Sequence, residues 1–195
     1  KYQTSCRLIF TDIFIPLFSR MTFEDIKQTL ITNFGIENVH AIESGPQPIL
    51  VIPANQLVPV CQLLFEHDKM YFDYLACITA IDNGPSADTM ELVYNLTSIP
   101  YEMDLILKII FPRTTESQPL PSVPTVSHIW RTADWHEREA YDLLGIHFEN
   151  HPDLRRILLP EDWVGHPLRK DYEIQERYHG IYVKYENLPE SPDRV

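Results

Sequence analysis

Apolar and polar positions along this chain change their period several times, and each change marks a predicted element. Phe23, Ile26, Leu30, Ile31 and Phe34 recur every three to five positions, the spacing of one helix face. Thr22 with Asp25 opens that helix and Gly35 ends it. Residues 39–43 and 48–52 are short and rich in β-branched side chains, and Ser44-Gly45-Pro46 supplies a turn between two strands. A second helix over 58–67 presents Val60, Leu63, Leu64 and Phe65, with Pro59 in its first turn, where a missing N–H is tolerated. Three more strands follow at 72–81, 90–97 and 103–111, separated by Gly84-Pro85-Ser86 and Ser98-Ile99-Pro100. The order α-β-β-α-β-β-β predicts an α+β fold with helices packed on one face of a mostly antiparallel sheet. A proline-rich stretch from 112 to 124 then leads into a predicted helical pair, whose first member lies near 126–131.

The second member begins the densest part of the chain, residues 135–172. Asp134 reads as the N-cap, Glu137 as its capping-box partner and Gly145 as the residue past the C-terminus, which gives a helix of about ten residues. Ala140, Tyr141, Leu143 and Leu144 fall on one side; Arg138, Glu139 and Asp142 fall on the other. Arg138 and Asp142, four apart, suit a surface ion pair contributing about 0.3–0.5 kcal/mol. Ile146 and Phe148 alternate briefly. Then His151-Pro152-Asp153, Leu159-Pro160-Glu161-Asp162 and Gly165-His166-Pro167 make a stiff, irregular strip. Leu154, Ile157, Leu158, Leu159, Trp163 and Leu168 make that strip apolar, so it must lie against its own domain or against a partner subunit. The expected division is an N-terminal extension of unassigned role over 1–20, an α+β domain over 21–148, and an extended C-terminal interface arm over 149–195.

Charge and composition remove several function classes. A net charge of −12, with 16 Lys and Arg scattered and no basic stripe, argues against nucleic-acid binding. Cys6, Cys61 and Cys77 form no C-x-x-C pair, so an intrinsic zinc or iron–sulfur site is not expected, and Cys61 and Cys77 suit buried small-hydrophobe positions in a reducing compartment. The longest uncharged stretch, 44–65, is broken by Pro46, Pro48, Pro53 and Pro59, so no membrane span is expected. Residues 8–18 are apolar but contain Asp12 and Pro16, unlike a signal peptide.

Catalytic motifs are likewise missing. His136-Glu137 begins like a zinc-protease H-E-x-x-H helix, but Ala140 stands where the second ligand belongs. His147 and His151, four apart, could share a metal; a hydrogen-bonded structural His151 beside Asp153 and Arg155 is the preferred reading. The glycines at 35, 45, 84, 145, 165 and 180 are too dispersed for a phosphate-cradling loop, which argues against direct NAD, FMN or nucleotide binding. Glu137 and Glu139 point about 200° apart on a helix and cannot share an acid–base site. Arg155, Arg156, Arg169 and Lys170 could take an anionic ligand or a lipid headgroup, but pairing with partner carboxylates suits an apolar strip better.

Glu137-Arg138-Glu139, two residues, Asp142, Leu143-Leu144, six residues, His151, three residues, Arg155 and Ile157-Leu158 together resemble the signature of the 30 kDa subunit of respiratory complex I, the bacterial NADH-quinone oxidoreductase. Gly165-His166-Pro167-Leu168-Arg169-Lys170-Asp171-Tyr172 is similar to the same family, with looser likeness back to Ala80-Ile81-Asp82. The resemblance implies a non-catalytic subunit in the peripheral arm of a proton-translocating NADH:quinone oxidoreductase. It carries no cofactor, while FMN, iron–sulfur clusters, NAD and quinone belong to partner subunits. The implied neighbour is the quinone-site subunit, which resembles the large subunit of nickel–iron hydrogenases, and the C-terminal strip would wrap onto it. On that footing Glu137, Arg138, Glu139, Asp142, His151, Asp153, Arg155, Arg156, Trp163, Arg169, Lys170 and Asp171 are expected partner-interface residues. The implied location is peripheral, on the cytoplasmic side of a bacterial inner membrane or its organelle equivalent. Two alternatives are the corresponding subunit of a membrane-bound hydrogenase or of a quinone oxidoreductase with another donor, and a free-standing enzyme.

Overall fold

Thr22 begins the first helix, α1 (Phe23–Phe34), through a complete capping box. Its hydroxyl accepts the Asp25 N–H at 3.2 Å, and the Asp25 carboxylate accepts the Thr22 N–H at 2.8 Å, so two otherwise orphaned donors are satisfied. The computed structural model describes residues 20–114 and 118–183. The expectations for residues 1–19, Cys6 included, lie outside the described residues.

Strands β1 (His40–Ile42), β2 (Ile49–Ile52), β3 (Tyr74–Asp82), β4 (Thr89–Ser98) and β5 (Met103–Pro112) form one sheet in the order β1-β2-β5-β4-β3. β1–β2, β3–β4 and β4–β5 are antiparallel and β2–β5 is parallel, so the mostly antiparallel expectation holds with one exception. Every second residue of β4 (Met90, Leu92, Tyr94, Leu96) and of β5 (Met103, Leu105, Leu107, Ile109, Phe111) is buried. These side chains share a core with Ile26 and Leu30 of α1 and with Leu57, Val60, Cys61 and Leu64 of the second helix, α2 (Leu57–Glu66). Full burial of each such side chain contributes about 1.5–3 kcal/mol. Cys61 is buried and Cys77 half-buried, both as free thiols.

Two expectations fail between the sheet and residue 133. The helix predicted at 126–131 is a single turn, in which the Ile129 and Trp130 N–H groups both donate to the Val126 carbonyl, at 2.9 and 3.1 Å. Trp130 does not continue a helix face but plugs into the core, donating its indole N–H to the Phe72 carbonyl at 2.9 Å. The proline-rich link contains a short strand, β6 (Ser122–Pro124), paired in parallel with β7 (His147–Glu149). Three residues are too few to carry a readable period, and only the meeting of segments 25 residues apart, Ser122 with His147, creates the pair. The third helix, α3 (Ala133–Leu144), follows that link and contacts β3. Beyond β7 the chain has no regular element until the two-residue strands β8 (Arg177–Tyr178) and β9 (Ile181–Tyr182). Among the described residues no helix is long and apolar enough to cross a membrane.

Candidate functional site: the seam between the third helix and the C-terminal arm

Helix α3 starts one residue before the expected cap. Thr132 occupies the N-cap position but makes no capping bond; its hydroxyl instead donates to the Leu75 carbonyl at 3.1 Å, tying the helix start to β3. Asp134 therefore lies inside the first turn, and the expected capping box with Glu137 does not form. Glu137 turns inward, fully buried, where it accepts the Val126 N–H at 2.8 Å and meets the Thr125 hydroxyl. Burial pushes its carboxyl up to about 7; the bonds from Thr125 and Val126 oppose that shift, and the nearby Asp134 charge adds to it. Gly145 ends the helix as expected, at a left-handed φ of 67°. A Cβ there would stand 2.5 Å from the His166 ring, so glycine is required by both the turn and the close approach of the arm.

The side of α3 expected to face water is covered instead. Asp142 is buried and makes no pair with Arg138. Its Oδ2 accepts three consecutive backbone N–H groups of the arm, Ile157 at 3.0 Å, Leu158 at 2.7 Å and Leu159 at 2.9 Å, and its Oδ1 accepts Arg156 Nη1 at 2.8 Å. Burial alone would raise this carboxyl, but those bonds outweigh it and hold the group below the ordinary aspartate range. Arg156 also donates to the Trp163 and Gly165 carbonyls at 3.2 and 3.1 Å, folding the arm around one guanidinium. An exposed i,i+4 partner could not compete with three N–H donors and a guanidinium converging on one carboxylate. Arg138 lies over the Trp135 ring, 4.7 Å from its centroid, with Asp134 and Asp153 each 3.9 Å away.

Two further anchors fix the arm's far end. Arg169 is buried, donating to the Leu144 carbonyl at 2.7 Å, to Gly145 at 3.1 Å and to Thr114 at 2.9 Å, which places a cation on the carbonyl end of α3. Asp82, at the end of β3, binds Arg113 through Nε at 2.8 Å and accepts the N–H groups of Gly84 at 2.9 Å and Lys170 at 2.8 Å. Asp171 completes this cluster on the same Arg113 guanidinium. Burial would raise Asp82, but Arg113 and those N–H bonds prevail and lower it. Sequence reasoning missed Arg113 altogether and noted Asp82 only as part of a loose likeness. Neither belongs to a spaced motif; an inward-facing acid at a strand end was the one available signal.

His151 is hydrogen-bonded within the chain through both ring nitrogens. Its Nδ1 accepts the Asp153 N–H at 3.1 Å, which leaves the proton on Nε2, 3.2 Å from the Asp134 carbonyl it donates to. No group of three or more His, Cys, Asp or Glu that could hold a metal occurs among the described residues.

The expected interface residues thus divide. Glu137, Arg138, Asp142 and Arg169 are buried within the chain, and His151, Arg156 and Trp163 are half-buried and bonded within the chain. Glu139, Asp153, Arg155, Lys170 and Asp171 remain exposed. Trp135, Leu158, Val164, Leu168, Ile174 and Ile181, by contrast, are each more than half exposed. A groove of about 340 Å³ between β3 and α3 is lined by Cys77, Thr79, His136, Glu139, Leu143 and, of those exposed residues, Leu168.

A family described as "Respiratory-chain NADH dehydrogenase, 30 Kd subunit" matches residues 50–178, which spans most of β2, the strands β3 to β5, α3 and most of the arm. An NADH-quinone oxidoreductase subunit from Chloroherpeton thalassium is 49% identical over 121 residues, 62% of this chain and 48% of that protein. This chain thus spans about half the length of that relative. The NADH-quinone oxidoreductase subunits of the same name from Chlorobium phaeobacteroides (43% identical, 69% of this chain and 78% of that protein) and Moorella thermoacetica (44%, 66% and 81%) are also similar. A chain of the membrane-bound sulfane sulfur reductase, an archaeal respiratory membrane complex, has the same fold, with a TM-score of 0.65 over 88% of this chain and 98% of that one, at 21% identity.

Proposed function

Because the chain belongs to the family of the 30 kDa subunit of respiratory-chain NADH dehydrogenase, we propose that it is a non-catalytic subunit of an NADH:quinone oxidoreductase, scaffolding the quinone-site subunit in the peripheral arm. The observation that carries this reading is the division of labour at the seam. Charged side chains bind the arm to its own domain, and the arm's outward residues Leu158, Val164, Leu168 and Ile174, with Trp135 of α3, stay exposed. An arm this firmly held, with large apolar side chains facing out, is shaped for a neighbouring subunit that buries them. Cofactors and quinone would be held by those neighbours, and membrane attachment would come through them.

The test is incorporation into the intact complex. Replacing Val164 and Leu168 together with Asp in the full chain is expected to reduce its recovery in the assembled complex on native gels at least tenfold, with circular dichroism unchanged. Normal recovery with full quinone reductase activity would remove the proposal. Arg155→Glu, at an exposed residue whose bond to Asp153 lies on the surface, is expected to have a smaller effect.

A further inference from the structure

The arm crosses α3 first at a cluster of ionisable groups that the scaffold role does not use. Glu137 Oε2 stands 3.7 Å from His151 Nε2, and His151 Nε2 stands 3.4 Å from Asp134 Oδ1. Both the Glu137 and His151 side chains are closed off from solvent, and Asp134 Oδ1 is buried without a hydrogen-bond partner. The groups facing Glu137 can be named element by element. Thr125 and the Val126 N–H come from the turn before α3, Asp134 from α3 itself, and His151 from the arm. Arg138 is the nearest guanidinium along α3, and it is directed to Trp135, Asp134 and Asp153. Cys61 of α2 and Tyr94 of β4 also feel the Glu137 charge; burial and that charge push both upward, so both stay neutral. Among the described residues no cation faces Glu137 when His151 carries a single ring proton, and that tautomer is fixed by the Asp153 N–H on Nδ1.

We propose that Glu137 is a proton-linked latch for the C-terminal arm: His151 seats over it while the carboxyl keeps its proton, and loss of the proton unseats the start of the arm. The carboxyl accepts the Thr125 hydroxyl and the Val126 N–H, so both of its oxygens are used in the seam, and with its proton it lies there as a neutral group. The ionised acid is a second anion beside Asp134 in a site closed to solvent, and moving His151 aside is the shortest way to hydrate it. The direction follows from linkage. The folded-state value, about 7, lies above the ordinary 4.5, so the stabilisation is complete below about 4.5 and is lost as the pH rises through about 7. The arm is accordingly held tightest on the mildly acidic side of neutrality.

The experiment uses the full chain, with the Glu137 carboxyl followed by carbon NMR and the Ile157–Leu159 amides by hydrogen exchange corrected for intrinsic base catalysis. The carboxyl is expected to titrate near neutrality. The corrected exchange of those amides should rise about tenfold between about pH 6 and pH 8.5, the response to roughly one unit of linked proton loss, while amides of β4 stay unchanged. Glu137→Gln keeps an acceptor for the Val126 N–H but cannot ionise, and it should flatten the response. A carboxyl titrating below about pH 5, a rise shared equally by β4, or a rise that persists in Glu137→Gln would each overturn the latch. Should Glu137→Gln fail to fold, the wild-type carboxyl and amide readouts decide alone.

Discussion

The sheet and the arm are built by opposite means. β4 and β5 hold together through alternating apolar side chains and a continuous ladder, so no single residue there is indispensable to its neighbours' geometry. The arm has almost no ladder: between β7 and β8 it has no strand or helix, and three buried ionic anchors, Asp142, Arg169 and the Asp82–Arg113–Asp171 cluster, satisfy its backbone and fix its path. The lesson is that an irregular segment can be as well defined as a sheet when carboxylates and guanidiniums replace the missing backbone partners. The consequence is fragility of a different kind, because each anchor serves several backbone groups at once.

That contrast can be tested most severely at Arg113. Arg113→Ala leaves Asp82 a buried, uncompensated charge, and a loss of about 3–5 kcal/mol in urea unfolding is expected, since breaking a buried pair from one side exceeds any exposed-pair effect. Because Arg113 bridges the end of β3 to Asp171, sheet and arm should both report that loss. A change below about 1 kcal/mol would mean that the cluster is solvated and that the arm is held elsewhere.

Asp142→Asn sharpens the comparison, because it removes the charge but keeps an acceptor. A loss of about 1.5–3 kcal/mol is expected, confined to the arm, with exchange at Ile157–Leu159 accelerated and β4 amides unaffected. Acid should mimic it. Asp142 and Asp82 are both held below the ordinary 3.8 in the folded chain, so their contribution is present above that value and is lost as the pH falls through the lower folded values. Acid should therefore loosen the arm before the sheet, as read by arm amide exchange against far-ultraviolet circular dichroism.

The smallest effect belongs to the sheet side. Thr22→Ala removes the cap of α1 and should lower the melting stability by about 1 kcal/mol without touching arm exchange. An effect on the arm would break the separation of the two regions.

The legibility of the sequence follows the same division. The α1 capping box was readable because Thr22 and Asp25 meet within one turn, and the strands β4 and β5 because a period of two repeats across ten residues. The same capping logic misled at Asp134. Acid, two residues and Glu137 satisfy the pattern, but the helix begins at Ala133, and Glu137 finds better partners in Thr125 and Val126, twelve and eleven residues away. The i,i+4 spacing of Arg138 and Asp142 was real yet irrelevant, because the competing donors lie about fifteen residues along the chain.

Local spacing and periodicity therefore determined the element order from α1 to β5, the α+β class, the ends of α1 and α3 at Gly35 and Gly145, and the presence of a stiff, apolar C-terminal strip. Tertiary structure alone decided which charged residues hold that strip and which apolar ones remain outside. A carboxylate's choice among donors depends on distance in space after the chain has folded back, and on how much water is excluded when it does, and neither quantity is written into the separation of residues along the sequence.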